Sequence, residues 1–134
     1  MYSKKILERF SNPSYAGGIR GGNGTGRAEN SSEVVKVYIS VDDNTNKITT
    51  AKFKACGGVC TIVACDVVCE LIEGKTLTEA LIVSADDIIA EMGEFPENKH
   101  SSLDIAQDAV KLAVEDYYEK KQKQLKKKPK NEEE

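Results

Sequence analysis

No stretch of this chain is apolar for the roughly 18 residues that a membrane-spanning helix needs, so a bilayer span is excluded. Cysteine is absent outside one stretch, CGGVCTIVACDVVC at residues 56–69, which holds all four. MYSKKILERF has no long apolar core and no small-residue cleavage site, so no signal peptide is expected. The expected location is cytoplasmic, where thiols stay reduced and a disulfide framework is not anticipated. Metal binding, catalysis and plain packing remain open for the cysteines.

Clustered positive charge is missing from the body of the chain. The formal net charge is −3, but seven lysines lie between Lys120 and Lys130 and three glutamates close the chain. Without those two groups 12 basic and 19 acidic residues remain, a net −7. Such a body is ill suited to a phosphate backbone, and nucleic acid is not the expected partner. The lysine run reads as a solvated tail whose composition predicts disorder, with an anionic membrane, an acidic partner or nucleic acid as the alternative. GGIRGGNGTG, residues 17–26, lacks both the dinucleotide fingerprint and the P-loop pattern and reads as a mobile loop. Nor does any nucleophile–base pair with a defined acid stand out, so the chain is not expected to be an enzyme.

What is present describes one domain in 134 residues. A short helix is expected over Tyr2 to Phe10, with Ile6, Leu7 and Phe10 at helical spacing and Pro13 behind its end. EVVKVYISV, residues 33–41, alternates apolar and polar with the period of a half-buried strand. DDNTNK is a hairpin loop, and KITTAKFKA should return antiparallel with Ala51, Phe53 and Ala55 on one face. Helices follow over Val59 to Glu73, closed by Gly74, over Thr76 to Ile82, and over Ala85 to Met92. A long last helix is capped by Ser101 or Ser102. Strands first and helices afterwards predict an α+β fold: a small antiparallel sheet with helices packed on one face and a helical C-terminal half.

On a wheel of about 100° per residue, Cys60, Val63, Ala64, Val67, Val68 and Leu71 share one face of the cysteine helix, with Asp66, Glu70 and Glu73 opposite. Cys65 and Cys69 fall near the edge of the polar side, roughly 140° to 180° from Cys60. Three thiols so dispersed cannot surround one ion, and the spacing matches no zinc ribbon. Cys65 and Cys69 are expected to be small residues half covered by a neighbouring helix. Cys56 and Cys60 flank Gly57-Gly58, where a flexible turn can bring both thiols together, and the helix N-terminus would lower the pKa of Cys60. The alternative for that pair is packing at a corner.

Several motifs together resemble the NifU/IscU/SufU type of iron–sulfur cluster scaffold. YSKKILERFSNPSYAG is similar to that family's opening, KITTAKFKACGG to its strand entering the second cysteine loop, and LIEGKTLTEALIVSADDI to its lysine-glycine-lysine stretch. KHSSLDIAQDAVKLAVEDY resembles the segment that begins with the family's histidine and third cysteine. The resemblance covers residues 2 to about 119, which defines a domain over 1–119 and a tail over 120–134. It implies iron–sulfur cluster assembly, through three cysteines and an aspartate at one end of the fold with a histidine beside the third cysteine. Thiolates are soft donors that hold such clusters and accept sulfur from a cysteine desulfurase, the partner the resemblance implies, alone or with another assembly protein.

The matching positions here depart from that pattern. Ser31 stands at the first cysteine, Glu33 at the aspartate, Gly58 at the second cysteine and Ser101 at the third, with His100 retained. EFPENK keeps only Pro96 of the motif by which some members meet a heat-shock chaperone, so that docking is not expected. A serine hydroxyl is un-ionised near neutral pH and glycine offers no donor. The usual cluster is not expected unless Cys56 and Cys60 supply the lost thiols. With Glu33 and His100 they would offer two thiolates, a carboxylate and an imidazole, a set suited to zinc or iron. The alternatives are a strand-edge carboxylate for Glu33 and a surface histidine at a helix start for His100. Three readings follow: a degenerate scaffold with an accessory, regulatory or repurposed role; a relocated metal or sulfur centre at Cys56 and Cys60; and a metal-free interaction module.

Overall fold

A computed structural model describes residues 2–132 of the chain, with side-chain surroundings through Leu125. Helix α1 spans Lys4–Ser11, with the Ser3 hydroxyl accepting from the Ile6 amide as its N-cap. Only Ile6 of its apolar residues is buried; Leu7 and Phe10, expected on the same inward stripe, are 44% and 40% exposed.

Three strands form one antiparallel sheet in the order β1, β2, β3: Gly24–Glu29, Val34–Asp42 and Lys47–Cys56. The two longer strands fall where the alternation places them, and Val35, Val37, Ile39, Ala51 and Phe53 are all buried on one face. Strand β1 corrects the expectation of a loop that runs through residue 26. Its sequence, GTGRAE, carries no apolar alternation because its inward positions are glycines. A Cβ on Gly24 would lie 2.7 Å from the Ala113 carbonyl oxygen, and one on Gly26 would run into the backbone of Ala109, Leu112 and Ala113. The glycines let a strand touch a helix backbone, one recognised use of glycine inside a strand.

Helix α2, Val59–Ile72, follows the sheet, then α3, Leu77–Leu81, and α4, Ala85–Met92. Thr76 and Ser84 build capping boxes with Glu79 and Asp87, and Gly74 and Gly93 take positive φ at the ends of α2 and α4. A 3-10 turn at Glu97–Lys99 leads into α5, His100–Glu132. The backbone of the lysine run to Glu132 is continuous with α5; Glu133 and Glu134, the end of the expected tail, lie outside the described residues.

The architecture is α+β. Helix α5 lies on β1 and β2, α2 lies on β3, and α1 and α4 close over α2. Helix α2 is therefore central, and its expected polar side is not on the surface. Asp66 is 1% exposed, and Cys65 and Cys69 are fully buried rather than half covered. Arg9 of α1 supplies the missing partner, donating to Asp66 Oδ2 and Glu70 Oε1 at 2.7 Å each, while Asp66 Oδ1 accepts from the Tyr15 amide at 2.8 Å.

Candidate functional site

The β1–β2 turn, the N-terminus of α2 and the N-terminus of α5 meet at one carboxylate. Asn30 shapes the turn: its side-chain oxygen accepts from the amides of Ser32 and Glu33 at 3.0 and 2.8 Å, an Asx turn. That fold of the chain turns Glu33 inward, where it is 6% exposed. Asn30 Nδ2 donates to Glu33 Oε1 at 2.8 Å. Thr61 Oγ1, in the first turn of α2, and Ser102 Oγ, in the first turn of α5, both donate to Glu33 Oε2, at 2.6 and 2.5 Å. Glu33 is thus a clasp between three segments rather than a strand-edge carboxylate.

Its electrostatics follow from those donors. Burial alone would raise the Glu33 pKa, but the hydrogen bonds from Asn30, Ser102 and Thr61 and the charge of Lys99 together hold it below the ordinary value. The positive ends of two helix dipoles act in the same sense.

Cys60 lies beneath this clasp, 2% exposed. Its thiol is pushed up by burial, with the Glu33 charge adding to the shift and Lys99 opposing it. The expected lowering by the helix terminus is overturned, because loss of water around the thiolate and a nearby carboxylate outweigh the dipole. Cys56 is exposed at the end of β3, opposite Val34 in the register. Burial also pushes the Cys65 and Cys69 thiols up, so both are inert packing residues.

His100 is half-buried at the start of α5, its ring tilted 53° against Phe95 with centroids 6.4 Å apart. Among the described residues no three His, Cys, Asp or Glu side chains gather closely enough to hold a metal ion. Cys56, Cys60, Glu33 and His100 are thus not drawn into one ligand set. Also among the described residues, every buried side-chain nitrogen and oxygen has a hydrogen-bond partner, so no orphaned polar atom points into the site.

Ser31, Gly58 and Ser101 are exposed around the clasp. Ser31 precedes Glu33 by two residues, Gly58 is the N-cap of α2, and Ser101 adjoins Ser102. A Cβ added to Gly58 meets nothing within 4 Å, and its φ of −85° suits any residue, so this position has room for a side chain. Gly57 is different: a Cβ there would lie 2.5 Å from Thr61 Oγ1, which seats the corner on the clasp.

The sequence profile of the NifU-like N-terminal domain matches residues 1–124. The chain belongs to this family. It is 33% identical over 122 residues to iron–sulfur cluster assembly scaffold protein IscU 1 of Archaeoglobus fulgidus, covering 90% of this chain and 78% of that protein. It is 34% identical over 126 residues to the scaffold protein IscU of Rickettsia prowazekii, covering 90% and 95% respectively. Its fold is like the crystal structure of an N-terminal NifU-like protein from Brucella abortus, with a TM-score of 0.68 at 21% identity over 89% of this chain and 95% of that one.

In this NifU-like domain the sequence motifs located Glu33 and the three cysteine-equivalent positions, but not the partners of Glu33. Thr61, Ser102 and Asn30 went unread. A turn-forming Asn before two serines, and a hydroxyl in the first turn of each of two helices, were the available signals. Lys99, whose charge acts on both Glu33 and Cys60, was also missed.

Proposed function

We propose that this chain acts in iron–sulfur cluster assembly as an accessory or regulatory member of its family, one that keeps the scaffold fold and does not hold the usual cluster. The carrying observation is the Glu33 clasp. It ties together the three segments on which the resemblance places cysteines, and those segments offer Ser31, Gly58 and Ser101 in their place. A hydroxyl, a hydrogen and a second hydroxyl give a cluster no thiolate to bind. What remains is a surface of the right shape for assembly proteins, a cysteine desulfurase foremost, in the reducing cytoplasm. Its role is binding without turnover.

The test is anaerobic reconstitution with ferrous iron and sulfide, with the absorption spectrum as readout, for the parent and for Ser31→Cys/Gly58→Cys/Ser101→Cys. The parent should stay colourless and the triple variant should gain thiolate-to-iron charge-transfer bands. A brown parent protein would sink this reading. Stoichiometric zinc or iron in the parent, lost in Cys60→Ser and kept in Cys69→Ser, would favour the relocated centre built from Cys56, Cys60, Glu33 and His100 instead.

A further inference from the structure

The inner face of the sheet is covered by α2 and α5, while the outer face is open and carries an uneven charge. The register places Arg27, Lys36 and Lys54 side by side in one row across all three strands. The next row holds Tyr38 opposite Lys52. All three cations of the first row are exposed. One carboxylate on this face answers them: Glu29, which bonds Arg27 at 2.9 Å. Outside the tail acids outnumber bases 19 to 12, yet here four cations face one acid. Like charges directly opposite one another destabilise a strand pair, so this row opposes the sheet that carries it.

We propose that this open face docks the acidic side of a helix in a partner protein. The spacing favours a helix. Adjacent strands are about 4.8 Å apart, and carboxylates on successive turns of a helix are about 5.4 Å apart. Same-side groups on an extended segment stand about 6.6 Å apart and drift out of step with the row. Single-stranded nucleic acid fits less well. The Tyr38 ring already has the Lys36 and Lys54 ammonium groups 5.8 and 5.9 Å from its centroid, leaving no open platform for a base. The −7 of the remaining body repels a polyphosphate.

The interaction surface lies beyond the site around Glu33 and stands without the cluster-assembly reading. The test is fluorescence anisotropy on the full chain with three labelled probes. These are an alanine-based helical peptide with glutamates on one face, a peptide of the same composition with its glutamates dispersed around the helix, and an oligothymidylate. The one-face peptide should bind most tightly, and Lys36→Gln/Lys54→Gln should weaken it by about fivefold to tenfold, with Arg27→Gln giving a smaller loss. The lysine tail is present in every variant, so equal binding by parent and double variant would overturn the proposal and assign the attraction to the tail. Equal affinity for the dispersed peptide, or tighter binding of the oligothymidylate, would overturn it as well.

Discussion

Glu33 accepts hydrogen bonds from Asn30, Thr61 and Ser102 while almost out of water, which makes it the residue on which the end of the fold depends most. Removing it leaves a buried hydroxyl from each of two helices without a partner, and each such orphan costs about 1–3 kcal/mol. Glu33→Ala is therefore expected to lower the unfolding free energy by about 2–4 kcal/mol, read from urea titration at neutral pH. The pH dependence has a definite sign. A carboxylate whose folded pKa is lowered stabilises the fold above its unfolded pKa, and that contribution fades as pH falls through the folded value. The stability gap between the parent and Glu33→Gln should be largest above about pH 5 and should narrow below about pH 4. A gap that is flat with pH would show that the Glu33 charge contributes nothing. Gly58 offers the opposite case: its open surroundings predict that Gly58→Cys alone leaves the melting temperature nearly unchanged.

Two elements are seated by contacts that their own sequences do not advertise. Helix α1 buries only Ile6, and is held through Arg9 to a carboxylate that is 1% exposed. Breaking a buried pair by removing one partner strands the other charge, at a cost of about 3–5 kcal/mol. Arg9→Met should approach the lower end of that range, since Asp66 keeps the Tyr15 amide, while Glu70→Gln, at the more exposed partner, should cost under about 1 kcal/mol. Double-mutant unfolding measurements check both values. Strand β1 rests on close approach: Gly26→Ala pushes a methyl into the α5 backbone and should cost about 3 kcal/mol. Gly58→Ala, with nothing in the way, serves as the matched control.

Over the whole molecule, the core runs from Ile6 to Tyr117, the last buried residue among those with described side chains. Deleting residues 120–134 removes seven lysines and three glutamates but no described core contact. The truncated chain is expected to melt within a few degrees of the parent, by calorimetry, while its net charge falls to −7. A large drop would mean that the end of α5 packs as part of the fold. The same deletion should leave reconstitution of the triple cysteine variant intact, because the Glu33 clasp lies at the opposite end of α5.

Local pattern was enough for β2 and β3, whose alternation is that of a sheet covered on one side, and for the caps of α3 and α4, whose chemistry is complete within four residues. It also determined that the cluster ligands are missing, since a serine or glycine is a matter of composition. Position in the fold decided the rest. Strand β1 was invisible because its inward residues are defined by what they lack, a Cβ that α5 would not admit. The burial of Cys65, Cys69 and Asp66 came from α1, α4 and α5 closing around α2, and a wheel drawn for one helix has no record of its neighbours. Glu33, Thr61 and Ser102 lie 28 and 69 residues apart in the chain, and only the packing of two helix N-termini against one turn brings them to hydrogen-bond distance.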